Sequence, residues 1–286
     1  MEKARFWELE EKGIRCTLCP HYCLIPINKK GICRQRKNIN NVLYTLNYGI
    51  VTSYAIDPIE KKPLYHFMPG TKIMSFGSSG CNFSCKFCQN HEISLDENPR
   101  SVFLSHERLV EITMNEGLDS IAFTYNEPTV WYEYMIDTAM LAKSYGLKTV
   151  CVTNGFINPK PLKELLKYMD AFNVDLKSFS DEYYRSICGG RLEPVMETIR
   201  TIHASNSHLE VTTLVVEGEN DDIDDLEDLF KWLGSLDSEI VLHLSRYYPA
   251  YKMNNPPTKV ETLLKAKKRA KKYLKHVYIG NVPGIS

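Results

Sequence analysis

Cys81, Cys85 and Cys88 are separated by three and then two residues, so a single short loop could present three thiolates to one metal centre. A ferredoxin-type iron–sulfur cluster takes four cysteines, so three would leave one iron without a protein ligand. An open coordination position is what a catalytic metal site needs. The spacing is equally compatible with a zinc loop that borrows a fourth ligand, for which His91 is the nearest candidate. A second group lies near the start of the chain. Cys16, Cys19 and Cys23 follow a C-x-x-C-P-x-x-C pattern, with Cys33 ten residues on. These four could bind zinc tetrahedrally and fix a small loop-rich module, hold an auxiliary iron–sulfur cluster, or remain buried thiols. The tight spacing favours a metal, and the expectation leans to structural zinc. Cys151 and Cys188 stand alone and are expected to be ordinary buried or loop thiols; His21 and His66 are expected to be structural.

Both groups need a scaffold. From residue 72 onward, short β-rich runs at 72–76, 120–124, 148–152, 171–174, 208–216, 240–244 and 276–279 alternate with segments of helical period at 105–116, 128–145, 159–168, 193–204, 221–233 and 258–274. Most of the strand runs are continuously apolar, as parallel strands covered on both faces are. Such alternation means a parallel sheet, open or curled into a barrel. A Rossmann sheet is the rival, but no strand is followed by G-x-G-x-x-G. The expected fold is therefore α/β, a full or partial (β/α) barrel with six core parallel strands over residues 71–286. An N-terminal Cys-rich module over residues 1–70 would pack on it, with a hairpin within 41–55. The three-cysteine loop follows the first barrel strand, at the end where barrel active sites lie.

Other classes of function are excluded. The 35 basic residues balance 35 acidic ones, so no global field draws the chain to nucleic acid or an anionic membrane. With 43% hydrophobic and 24% charged residues the composition is that of a globular protein. The apolar runs are far shorter than the roughly 20 residues that cross a bilayer. The charged first residues carry no apolar core of a secretion signal, which makes the cytoplasm the expected location and clustered thiols metal ligands rather than disulfides. Lys265, Lys267, Lys268, Arg269, Lys271 and Lys272 share a segment with an apolar stripe, and Asp221, Asp222, Asp224 and Asp225 open another helix; both runs are expected to be solvated faces.

The flanks of the three cysteines narrow the choice. Cys81-Asn82-Phe83-Ser84-Cys85-Lys86-Phe87-Cys88-Gln89-Asn90 after a strand resembles the motif of the radical SAM superfamily. That resemblance implies a [4Fe-4S] cluster on Cys81, Cys85 and Cys88 and S-adenosyl-L-methionine chelated to the open iron. An electron from the cluster would cleave the sulfonium to a 5′-deoxyadenosyl radical, which takes a hydrogen atom from substrate. Phe87 matches the position that lies against the adenine. Asn126 and Glu127, with Tyr125, stand where the superfamily has a G-G-E-like motif on the methionyl amino group. Asn126-Glu127-Pro128 is also a fitting helix start. Thr153-Asn154-Gly155 resembles the T-N-G of glycyl-radical-enzyme activases, although Val152 replaces the aspartate of their monovalent-cation site. Asp175-Leu176-Lys177 resembles their D-x-K, whose lysine pairs with the cofactor carboxylate. After the sixth strand, His243 and Arg246 are the remaining polar candidates for cofactor contact.

Three further segments carry a finer resemblance: Cys16 to Cys23, the Asp57-Pro58-Ile59-Glu60-Lys61-Lys62-Pro63 run with its continuation to Gly70, and Gly280-Asn281-Val282-Pro283-Gly284. They are similar to the AmmeMemoRadiSam system radical SAM enzymes, relatives of pyruvate formate-lyase activating enzymes, and the likeness covers almost the whole chain. Many members run on past that glycine into a cysteine-bearing tail, whereas this sequence ends at Ser286. The likeness implies an electron donor of ferredoxin or flavodoxin type and an association with Memo-like and AMMECR-type proteins. A non-catalytic zinc or iron–sulfur scaffold or electron carrier is the alternative; it leaves Glu127, Thr153 and Lys177 unexplained.

Overall fold

A computed structural model describes residues 1–284. Its central sheet is built from β1 (Ser53–Pro58), β2 (Lys72–Gly77), β3 (Ser120–Phe123), β4 (Lys148–Thr153), β5 (Ala171–Asp175), β6 (His208–Val215), β7 (Val241–Arg246) and β8 (Val277–Gly280). They lie side by side in chain order. The strands from β2 to β8 are parallel, and β1 runs antiparallel on the outer edge of β2. No pairing joins β1 to β8 among the described residues, so the sheet is an open, partial barrel. The parallel set has seven members rather than six, because β8 continues the ladder from Leu242–Val277 to Ser245–Gly280. The last two residues of the expected barrel span lie outside the described residues.

Helices cover the sheet: α1 (His106–Asn115), α2 (Tyr132–Ser144), α3 (Pro159–Leu165), α4 (Leu192–His203), α5 (Ile223–Leu236) and α6 (Val260–Ala270). All but α2, which is buried on nearly every side, turn an apolar stripe inward. In α5 this is Leu226, Leu229, Phe230 and Leu233; in α6 it is Leu263, Ala266 and Ala270, which leaves the lysine run on the other face. Asp222 caps α5 by accepting from the Asp224 N–H at 2.9 Å.

Ahead of β1 the chain folds as small antiparallel pieces. Trp7–Glu10, Gly13–Cys16 and Leu24–Ile25 form one sheet, and Arg36–Ile39 and Val42–Thr45 form a hairpin. Asn40 and Asn41 turn that hairpin at φ of 51° and 61°, the left-handed region that asparagine tolerates. The hairpin thus begins earlier than residue 41. Residues 53–58 instead join the central sheet, because β2 has a free edge that β1 satisfies with six paired positions. The segment after β1 folds into the barrel's lower end. Ile59 and Leu64 pack with Ile73, Ala122, Val150 and Ala171 of β2 to β5.

Candidate active site

A cavity of about 370 Å³ opens at the C-terminal ends of the parallel strands, a volume suited to a small-molecule cofactor. The loop leaving β2 supplies Cys81, Cys85, Phe87 and Cys88. The turn after β3 supplies Asn126 and Glu127, the end of β4 Thr153 and Asn154, and the exit of β5 Asp175 and Lys177; all ten side chains line the cavity.

The cysteine loop is fixed from several sides. Asn126 accepts from the Ser78 N–H at 2.9 Å and donates to the Gly80 carbonyl at 2.9 Å, holding the chain just before Cys81. The Ser84 and Lys86 N–H groups donate to the carbonyls of Cys188 and Ile187 at 2.8 and 3.0 Å, so the residues either side of Cys85 are tied to the wide helical turn Tyr184–Cys188. Cys188 is buried with its thiol against that of Cys85. This contact, and then the Lys177 ammonium, hold the Cys85 thiol below its ordinary range despite burial. Burial pushes the Cys81 and Cys88 thiols up.

Glu127 is 2% exposed. Its carboxylate accepts from the Thr129 N–H at 2.9 Å, the Thr153 hydroxyl at 2.7 Å and the Asn154 N–H at 2.8 Å. The residue therefore caps the turn that leads into α2 and locks the end of β4, while its side chain still forms cavity wall. Burial raises its carboxyl above the usual range, against those hydrogen bonds. Lys177 sits across the cavity at 2.8 Å from Asp175, with its Nζ 5.7 Å from the centre of the Phe87 ring. Burial works against its charge, but Asp175, Cys85 and Cys188 outweigh that and hold the ammonium well above the usual range.

His243 and Arg246, the remaining candidates for cofactor contact, are not among the residues that line the cavity. Alternation along β7 turns Ser245 to the cavity. Arg246 points elsewhere, donating to the Thr258 carbonyl at 2.8 Å. His243 shares the side of Ser245 but lies one layer deeper. Its Nε2 is 2.6 Å from Glu210, which also accepts from the Tyr65 and His66 N–H groups. His91, the ligand a zinc loop would borrow, stacks on Tyr251 at 4.8 Å instead of facing the cavity.

Asp57, Lys61 and Lys62 also line the cavity and were not expected there; Tyr125 lines it beside them. Tyr125, at a glycine position of the motif, adopts φ of 72°. Its hydroxyl donates to Asp57 at 2.9 Å, and Lys62, which pairs with Asp57 at 2.8 Å, lies 4.5 Å from its ring centre. Those contacts over-determine a backbone that costs on the order of 1–3 kcal/mol. The Asp57 to Pro63 segment was visible in the sequence only as a resemblance; its place beside Tyr125 needs the fold.

The donor set fits an iron–sulfur cluster with an amino-acid-bearing cofactor. Three thiols line one region of the cavity, a buried ammonium can meet a carboxylate, and a buried carboxylate can meet an ammonium. Among the described residues no three His, Cys, Asp or Glu side chains converge as they would on a single ion. The cysteines border a space rather than a point.

Residues 76–233, more than half of the chain, match the model of the Radical SAM superfamily. An uncharacterised protein of Methanocaldococcus jannaschii is 45% identical over 99% of this chain and 86% of its own length. The pyruvate formate-lyase 1-activating enzyme of Escherichia coli is 25% identical over 54% of this chain and 65% of its own. Streptococcus suis SuiB, solved bound to S-adenosylmethionine, has the same fold over 72% of this chain and 49% of its own, with a TM-score of 0.59 at 13% identity.

Proposed function

This chain belongs to the radical SAM superfamily, and on that premise we propose that it is an activating-enzyme-like catalyst that takes a hydrogen atom from a partner protein. The cofactors of the family are a [4Fe-4S] cluster and S-adenosyl-L-methionine. When bound, they supply reductive cleavage of the sulfonium and the hydrogen-atom abstraction that follows. The protein contributes binding, orientation and exclusion of water. Cys81, Cys85 and Cys88 hold the cluster, and Lys177 meets the cofactor carboxylate. Glu127, fixed by Thr153 and Asn154, offers the free lone pairs of its carboxylate to the cofactor ammonium, and Phe87 packs against the adenine.

The observation that carries this reading is the meeting of three thiols, Glu127 and Lys177 in one cavity at the strand ends. Similarity to pyruvate formate-lyase 1-activating enzyme supports a protein-borne substrate. The three further segments of resemblance support placing the enzyme in the AmmeMemoRadiSam system, beside Memo-like and AMMECR-type proteins and with a ferredoxin- or flavodoxin-type reductant in the cytoplasm. No helix among the described residues is long and apolar enough to cross a membrane.

The test is anaerobic reconstitution with iron and sulfide, followed by dithionite and S-adenosylmethionine. The expected outcome is 5′-deoxyadenosine with methionine from the wild type and none from a folded Cys85→Ala variant. Equal product from both would overturn the assignment.

A further inference from the structure

Four cysteines outside the cavity remain unexplained. Cys16, Cys19, Cys23 and Cys33 are all free thiols, and all four line one small hollow in the N-terminal module. Local backbone bonds bring them there. The Cys16 N–H donates to the Cys23 carbonyl at 2.9 Å, and the turn that carries Cys33 is closed by Arg34 N–H on the Gly31 carbonyl at 2.9 Å. Gly31 packs against this group: a Cβ there would stand 3.2 Å from the Ile25 side chain and 3.6 Å from the Cys23 sulfur.

The shape of the hollow bears on what it holds. It encloses about 10 Å³, the space one water molecule needs, and the four thiols on its wall could close a metal centre with protein ligands alone. All four thiols line this one hollow, and among the described residues no three His, Cys, Asp or Glu side chains converge on a single ion. Arg36 is a second, independent observation. Its guanidinium is 1% exposed and lines the same hollow, yet its Nε has no hydrogen-bond partner. Its other nitrogens are engaged by Glu133 at 2.8 Å and the Arg5 carbonyl at 3.1 Å. A buried cationic donor left unpaired beside four thiols is costly unless anionic sulfur is its acceptor.

The hollow adjoins the three-cysteine loop. Gly80, directly before Cys81, packs so closely on the turn that a Cβ there would meet the Cys33 carbonyl at 2.8 Å. The His21 ring lies 2.6 Å from the Asn82 carbonyl, and Asn154 bridges Asn82 at 2.8 Å and the Cys81 sulfur at 3.8 Å. One stretch of chain, Gly80 to Asn82, therefore separates the two sets of thiols.

We propose that Cys16, Cys19, Cys23 and Cys33 bind a second iron–sulfur cluster, closed by four protein thiolates, which relays single electrons to the cluster on Cys81, Cys85 and Cys88. A low-potential one-electron donor of ferredoxin or flavodoxin type reduces it. It is reoxidised as the first cluster is reduced, with no bond made or broken. Four-cysteine ligation suits this task because it leaves no iron open to substrate. Only the relay rests on the function proposed above; cluster binding does not.

The experiment compares anaerobically reconstituted full-length chains by iron, sulfide and zinc analysis and by electron paramagnetic resonance. The Cys81→Ala/Cys85→Ala/Cys88→Ala variant is expected to keep iron and sulfide in equal amounts and a reduced-cluster signal. Cys19→Ser/Cys33→Ser is expected to keep only the cluster whose signal shifts on adding S-adenosylmethionine. The reduced wild type should show both signals broadened by mutual coupling. Stoichiometric zinc, or no iron, in the triple variant overturns the second cluster, and that result stands even if the Cys19/Cys33 variant fails to fold. Two clusters without magnetic interaction overturn the relay. Failure of the proposed function appears separately, as a wild type that forms no 5′-deoxyadenosine while the triple variant keeps its iron.

Discussion

Lys177 illustrates how much one enclosed side chain can do. It is 13% exposed, faces Asp175, and lies close enough to Cys85 to favour the thiolate. A cofactor carboxylate entering the cavity would find a cation already desolvated and held in place, so little ordering remains to be done on binding. Lys177→Met removes the charge but keeps the length of the stem. It is expected to weaken S-adenosylmethionine binding to the reconstituted protein about 10–100-fold, the worth of one charge-assisted hydrogen bond. Equilibrium binding on variants of matched cluster content checks this, and unchanged affinity would place the cofactor carboxylate elsewhere. Cys188 belongs to the same scale. In the sequence it is a lone thiol before two glycines; in the fold it is buried against Cys85. No local signal distinguishes the two situations.

The loop leaving β2 takes its shape from neighbours rather than from its own sequence. Gly190, just past the wide turn Tyr184–Cys188, sits so near Phe83 that a Cβ would meet three ring atoms at 2.2, 2.6 and 3.0 Å. Phe83 lies between Cys81 and Cys85, so its ring is the link through which α4's entry segment sets the thiol spacing. Gly190→Ala is expected to displace that ring and lower the iron retained at Cys81, Cys85 and Cys88 several-fold, while iron at the N-terminal cysteines is unchanged. Iron analysis in the backgrounds of the two cysteine variants separates these pools. The same reasoning applies to Asn126, whose two hydrogen bonds reach back to Ser78 and Gly80. In the sequence it is a motif position next to Glu127; in the fold it is the clamp on the cluster loop.

At the scale of the whole molecule, two buried ion clusters tie separate parts of the chain together. Arg36, from the N-terminal hairpin, pairs with Glu133 of α2 at 2.8 Å, and Glu133 also accepts from the Arg5 N–H at 2.7 Å. Arg36→Met strands the Glu133 charge and is expected to cost about 3–5 kcal/mol, measurable as an earlier denaturation midpoint and faster proteolysis within the first fifty residues. Glu210 anchors the segment after β1 to β6 and β7. Burial alone would raise its carboxyl, but hydrogen bonds from His208, His243 and the Tyr65 and His66 N–H groups bring it down to about 2 from an ordinary 4.5. A depressed carboxyl stabilises the fold above its unfolded value and loses that contribution as pH falls toward its folded one. Stability is therefore expected to drop between about pH 4.5 and 2, by on the order of 3 kcal/mol. Glu210→Gln should flatten that part of the acid titration; an identical pH profile in the variant would exclude Glu210 as its source.

The parallel sheet, its crossover helices and the three-cysteine loop after the first parallel strand were legible in the sequence, because they rest on local order: apolar periodicity, capping residues and the spacing of like ligands along one loop. Ten of the side chains expected around the cofactor line one cavity for the same reason, since strand ends follow from strand positions. Only the tertiary structure decided which layer of the barrel each residue occupies. His243 and Ser245 share a face of β7, yet two residues along the strand take His243 out of the cavity and onto Glu210. It alone brought β1 into the central sheet, put Asp57 and Lys62 beside Tyr125, and pressed Cys33 against Gly80. These contacts join residues far apart in the chain through packing and charge, and neither leaves a trace in the order of the amino acids.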